Sequence, residues 1–122
     1  MSHVTIIGTV TAKPETREEL LALLSKQVAP TRRETGCINY DFHVDAQDHC
    51  VFVFYENWRS QADLDAHLGM PHLQPLFSQL DRLLACAVNI RHLNMMDLSR
   101  FSAAPSSHLS GYPFESQGAF PA

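Results

Sequence analysis

The residues best equipped for chemistry lie between Phe52 and His72. Side chains alternate along a strand, so Phe52, Phe54, Glu56 and Trp58 share one face of this segment while Val53, Tyr55 and Asn57 share the other. One carboxyl group therefore stands among three large aromatics. Buried there, it must be hydrogen-bonded, paired or shifted in pKa, because an unpartnered buried carboxylate is costly. Either Glu56 is the polar group of an aromatic-lined pocket, or it reaches a backbone amide or an arginine at the end of the sheet. Further on, His67 and His72 flank Gly69-Met70-Pro71. An imidazole can serve as a general base, although a helix histidine is also commonly a partly solvated or backbone-bonded one.

Other reaction chemistries lack their residues. His67 and His72 are five apart with Pro71 between them, whereas two imidazoles that share a helix face for a metal stand four apart. With no H-E-x-x-H and no Cys/His cluster, no metal is expected. The chain has no G-x-S-x-G, no G-x-G-x-x-G and no P-loop motif, so the cradles for an oxyanion, a dinucleotide or a nucleoside triphosphate are missing. No cofactor is expected, and a substrate would have to supply much of the reactivity itself. Cys37, Cys50 and Cys86 form no C-x-x-C pair and read as small buried hydrophobes.

The elements that must position these groups follow from periodicity. Residues 3–12 are rich in β-branched side chains and alternate through Val4, Ile6, Gly8 and Val10, a strand. After Lys13-Pro14, Leu20, Leu21, Leu24 and Val28 form the apolar stripe of a helix that must kink or restart at Pro30 and end by Gly36. Residues 37–45 alternate Ile38, Tyr40, Phe42 and Val44 against polar neighbours; residues 50–59 are apolar on both faces and predict a central strand. Ser60 with Asp63 is an N-cap for a helix to Leu68, which resumes through Leu73, Leu76, Phe77, Leu80 and Leu84. Strand character returns over 85–95. The order β-α-β-β-α-β predicts an α+β, ferredoxin-like fold with an antiparallel sheet, both helices on one face and the other face bare. The expected cover is the same face of a second subunit.

At 122 residues the chain has room for one core. No apolar run approaches the ~20 residues of a membrane span, and no signal sequence is readable at the N-terminus, so a cytoplasmic protein is expected. A net charge of −4 and a pI near 5.9 give no basic surface for nucleic acid. The folded unit is expected over residues 1–96. In residues 97–122, Ser, Pro and Gly make up 11 of the 26 positions and no period survives. That stretch also carries Phe101, Tyr112, Phe114 and Phe120, so it is expected to be an irregular tail docked across a subunit interface or over a pocket mouth.

Several spaced motifs together resemble the antibiotic biosynthesis monooxygenase family: Thr11-Ala12-Lys13-Pro14, Ala29-Pro30-Thr31-Arg32 leading to Gly36-Cys37-Ile38-Asn39-Tyr40, Tyr55-Glu56-Asn57-Trp58 with Ser60, and Leu64-Asp65-Ala66-His67 followed by Pro71-His72. The resemblance spans Val4 to about Leu93. It implies a dimeric α/β barrel, a homodimer of ferredoxin-like subunits with facing sheets and a hydrophobic pocket in each. It also implies a cofactor-independent monooxygenase or quinol oxidase that uses O2 on a small electron-rich aromatic such as a quinol, phenol or anthrone. By the same resemblance Trp58 offers its indole N–H to a substrate oxygen, and His67, then His72, transfers the proton. Glu56 orients a histidine or an arginine, and Tyr40, Phe52 and Phe54 wall the aromatic ring. The anthrone-oxidising branch has an asparagine where Phe54 stands, and the haem-degrading branch uses one in the first strand, where residues 3–12 have none. A branch that isomerises a small phosphorylated sugar-derived signal shares the pattern, and there Arg32, Arg33 and the histidines would serve a phosphate. A non-catalytic small-molecule-binding barrel is the third possibility.

Overall fold

Prolines set the helix boundaries in the computed structural model, which describes residues 3–96. Strand β1 (Val4–Thr11) ends before a 3-10 turn at Pro14–Thr16 that leads into α1 (Arg17–Ser25). The chain bends at Lys26 and Gln27 and restarts as α2 (Val28–Arg32). Pro30 lies in the first turn of α2, where a missing N–H is no loss. Gly36, at φ +85°, then turns the chain into β2 (Cys37–Val44), which is joined to β3 (Val51–Trp58) by a hairpin. Ser60 caps α3 (Gln61–Leu68), its hydroxyl accepting from the Asp63 amide at 3.1 Å.

After α3 the expected single resumed helix is a 3-10 turn at Pro71–Leu73 and two short helices, α4 (Gln74–Phe77) and α5 (Leu80–Leu83). The Ser78 hydroxyl donates to the Pro75 carbonyl at 3.0 Å, a local bond that competes with helix continuation. The last strand, β4 (Asn89–Asn94), is shorter than its sequence pattern; Ala85 makes only an isolated bond to the Thr11 carbonyl.

The strands form one antiparallel sheet in the order β2-β3-β1-β4, the ferredoxin-like arrangement. Leu20, Leu24, Leu64, Leu73, Leu76 and Leu83 from the helices pack on Ile6, Val10, Tyr40, Phe52, Phe54 and Trp58 from the sheet. Cross-strand register places Tyr40, Glu56, Ile6 and His92 in one row spanning all four strands. Phe42, Phe54, Gly8 and Ile90 form the next row.

The opposite face carries a polar chain instead. Thr5 donates to Asn57, Asn57 donates to Asn39 at 2.9 Å, and Asn39 donates to Asp41 at 3.0 Å. Among the described residues no helix is long and apolar enough to cross a membrane. Residues 97–122 lie outside the described residues, and so does the expected docked tail.

Candidate functional site

Helix α3 presents His67 inward, 4% exposed, where its ring lies 4.6 Å from the Trp58 ring and meets Tyr40 edge-on at 5.7 Å. Its Nδ1 contacts both carboxylate oxygens of Glu34, at 3.0 and 3.1 Å. Glu34 sits two residues before Gly36, in the turn between α2 and β2; its amide donates to Thr31 O and its carbonyl accepts from Cys37 N. The same carboxylate reaches Nε2 of His72 at 2.7 Å. Nδ1 of His72 in turn meets Oε1 of Gln27 at 2.7 Å.

The bonding network assigns the protons. Gln27 spends its amide N–H on Leu23 O at 3.2 Å, so its Oε1 is the atom facing His72, and His72 Nδ1 must be the donor. His67 Nδ1 faces only carboxylate oxygens and therefore carries a hydrogen; in the neutral ring Nε2 is then the acceptor. Nε2 has no hydrogen-bond partner among the described residues.

Two adjoining cavities use His67 and Glu56 as common wall. The larger, about 280 Å³, is otherwise lined by Ile6, Leu64, Leu68, Ile90 and His92. The smaller, about 130 Å³, continues toward Tyr40, Phe54, Leu73 and Leu76. Both are predominantly apolar hollows with few polar groups, the usual make-up of a small-molecule site.

Burial raises the Glu56 carboxyl above its ordinary value of 4.5, and the indole N–H of Trp58, donated to Oε1 at 2.9 Å, works the other way. Burial, with the Glu56 carboxyl nearby, holds the Tyr40 phenol protonated. A carboxyl that binds its proton more tightly when folded makes stability fall as pH climbs above 4.5. Glu56→Gln keeps an acceptor for Trp58 and removes that charge. Its urea midpoint is expected to gain on the parent as pH rises from 4.5 toward neutrality and to lose that gain at acid pH; a pH-independent difference would contradict the burial argument.

The expected site residues divide into three groups. His67, Glu56, Tyr40 and Phe54 converge on the cavities. Trp58 and Phe52 are fully buried behind them: the indole N–H is taken by Glu56, and the guanidinium of Arg17 lies 5.4 Å over the Phe52 ring. His72 lines neither cavity and bonds Glu34 instead, and Arg32 lies at the outer edge of β2, donating to Tyr40 O at 3.0 Å and to Asp41 at 3.1 Å. The sequence reading missed Glu34, Gln27 and His92. His92 could have been found by counting strand register from Ile6, but no period marks Glu34, which lies 33 residues from His67.

Comparison with known proteins agrees with this fold. Residues 3–77 match the family model described as antibiotic biosynthesis monooxygenase. The chain is 36% identical over 96 residues to Rv0793 of Mycobacterium tuberculosis, which is provisionally named a monooxygenase; the match covers 79% of this chain and 94% of that one. The solved structure of Rv0793 superposes with a TM-score of 0.75 at 35% identity, covering 80% of this chain and 99% of that chain. PA3566 of Pseudomonas aeruginosa gives a TM-score of 0.76 at 35% identity, covering 80% and 97%. The protein sll1783 of Synechocystis is 34% identical over 88 residues, 72% of this chain; the matched stretch spans 60% of that longer relative.

Proposed function

The chain belongs to the antibiotic biosynthesis monooxygenase family, and from that premise we propose that it is a cofactor-independent monooxygenase that uses O2 on a small electron-rich aromatic hydroxyl compound. The observation that carries this reading is the pair Glu34–His67. A buried imidazole with an unpartnered Nε2 lines an apolar cavity while a carboxylate holds its Nδ1. In that geometry His67 Nε2 takes the substrate's hydroxyl proton. Glu34 fixes the tautomer and stabilises the imidazolium that results, as a carboxylate does behind a catalytic histidine. The deprotonated aromatic is then electron-rich enough to reduce oxygen, and the buried side chains of Ile6 and Leu64 give it an apolar wall.

The isomerase reading finds less support. Neither Arg32 nor Arg33 lines either of these two cavities, and Arg32 is engaged by Asp41. Oxygen uptake should be measured with a panel of hydroquinones and anthrones in the presence of chelator, where protein-dependent consumption is expected. Turnover under argon would point to isomerisation, and ligand binding with no turnover of any compound would leave a binding barrel.

The protein is further proposed to work as a homodimer that closes the barrel over the open sheet face. Ile7, Val53, Tyr55 and Leu93 lie on that face, and Tyr55 and Leu93 are each 39% exposed in the single chain. Light scattering at micromolar concentration is expected to give twice the chain mass of 13.7 kDa; a monomer would sink the proposal.

A further inference from the structure

The geometry points to a binding site for a divalent first-row transition-metal ion, of the zinc and cobalt(II) kind, formed by Glu34, His67 and His72. Each residue offers one ligand atom, and the three atoms lie within 4.8 Å of one another. They come from three segments: the turn after α2, helix α3 and the 3-10 turn that follows it. Two imidazoles and one carboxylate suit zinc, cobalt or iron far better than calcium or magnesium, which take oxygen ligands.

Spacing permits the same assignment. Oε2 of Glu34 stands 2.7 Å from His72 Nε2 and 3.0 Å from His67 Nδ1. Neighbouring ligands at about 2.1 Å from an octahedral ion are about 3 Å apart, and a tetrahedral ion spreads them by only a few tenths more. Small side-chain movements therefore admit an ion.

A second feature is the orientation of His72. A metal-binding histidine characteristically donates its other ring N–H to a fixed acceptor, and Gln27 is that acceptor, itself anchored by Leu23 O. With Nδ1 committed to Gln27, the His72 Nε2 lone pair meets the carboxylate head-on. Such a contact needs a positive centre between the two atoms, a proton or a metal ion. Glu34 and His67 are buried, but the His72 side chain is 24% exposed, so the site is open on one side and leaves room for water in the remaining positions.

The site stands whether or not the protein is an oxygenase. If it is one, the ion acts as a lock: a metal on Nδ1 of His67 leaves the ring hydrogen on Nε2, and the cavity loses its proton acceptor.

The test is a Co2+ titration of the untagged full chain after dialysis against chelator, followed by visible d–d absorption, with Zn2+ as competitor. One ion per chain is expected, with a Kd in the micromolar range or tighter. His72→Asn, at a partly exposed position, is expected to weaken binding by about 100-fold, and Gln27→Leu by about 10-fold or more. Glu34→Gln should abolish binding in protein shown by circular dichroism to be folded. Binding no tighter than millimolar, or an affinity unchanged in His72→Asn, would overturn the proposal, the latter by placing the ion on other histidines.

Discussion

Replacing His67 by alanine is expected to lower kcat/KM for the oxygenated aromatic by roughly 100-fold or more, about 2.7 kcal/mol of transition-state stabilisation. The loss should fall on kcat. The larger cavity keeps its apolar walls at Ile6, Leu64, Leu68 and Ile90, so ground-state binding changes little. Added imidazole should restore part of the rate, because the void left by the ring opens on the same hollow and the Glu34 carboxylate remains to orient a free base. Unchanged kcat/KM would remove His67 from the mechanism. A loss confined to KM would make it a wall and nothing more.

The second large effect is on stability. Gly36→Ala is expected to cost about 2–4 kcal/mol, which for a domain of this size lowers Tm by on the order of 10 °C. Two causes add. Gly36 has a φ of +85°, which an L side chain rarely adopts, and an added Cβ would lie 2.2 Å from the Asp63 carboxyl and 2.5 Å from its Cβ. Asp63 cannot simply swing away, because its amide is capped by Ser60 and its carboxylate accepts from the same hydroxyl at 3.1 Å. The Gly36 carbonyl also accepts from Arg59 N at 2.8 Å, tying the end of β3 to the turn that holds Glu34. Thermal melts of Gly36→Ala with and without Asp63→Ala separate the causes: relief of the clash should recover part of the loss and leave the backbone strain. A melt equal to the parent's would refute both.

The element order was legible because alternation and apolar stripes are local properties. Glu56 and Trp58, two apart on one strand, could be placed on one face from spacing alone. Their hydrogen bond could not, and the resemblance to oxygen-using relatives assigned that indole N–H to a substrate instead. The histidine pair shows the limit more sharply. Counting residues between His67 and His72 asks whether one helix face holds both, but the rings are gathered by a carboxylate from a different element, across a separation that no sequence period records. Gln27 was invisible for the same reason: its role depends on a bend at Lys26–Gln27 that brings it 45 residues back onto His72. The helix expected through residues 73–84 is instead divided at Ser78 and Gln79, where the Ser78 hydroxyl offers the Pro75 carbonyl a local alternative to the helical ladder.

The row Tyr40–Glu56–Ile6–His92 crosses strands that are not equally secured. Glu56 and Ile6 sit on the two central strands, each laddered on both sides, whereas His92 and Ile90 sit on β4, an outermost strand paired only with β1 and exposed along all six residues. Detaching β4 would break one ladder and leave the β1–β3 pairing intact, so it is expected to cost less than global unfolding. The larger cavity thus has one rigid wall and one that can fray. An opening of that sheet edge would admit a ligand with no hinge and no lid.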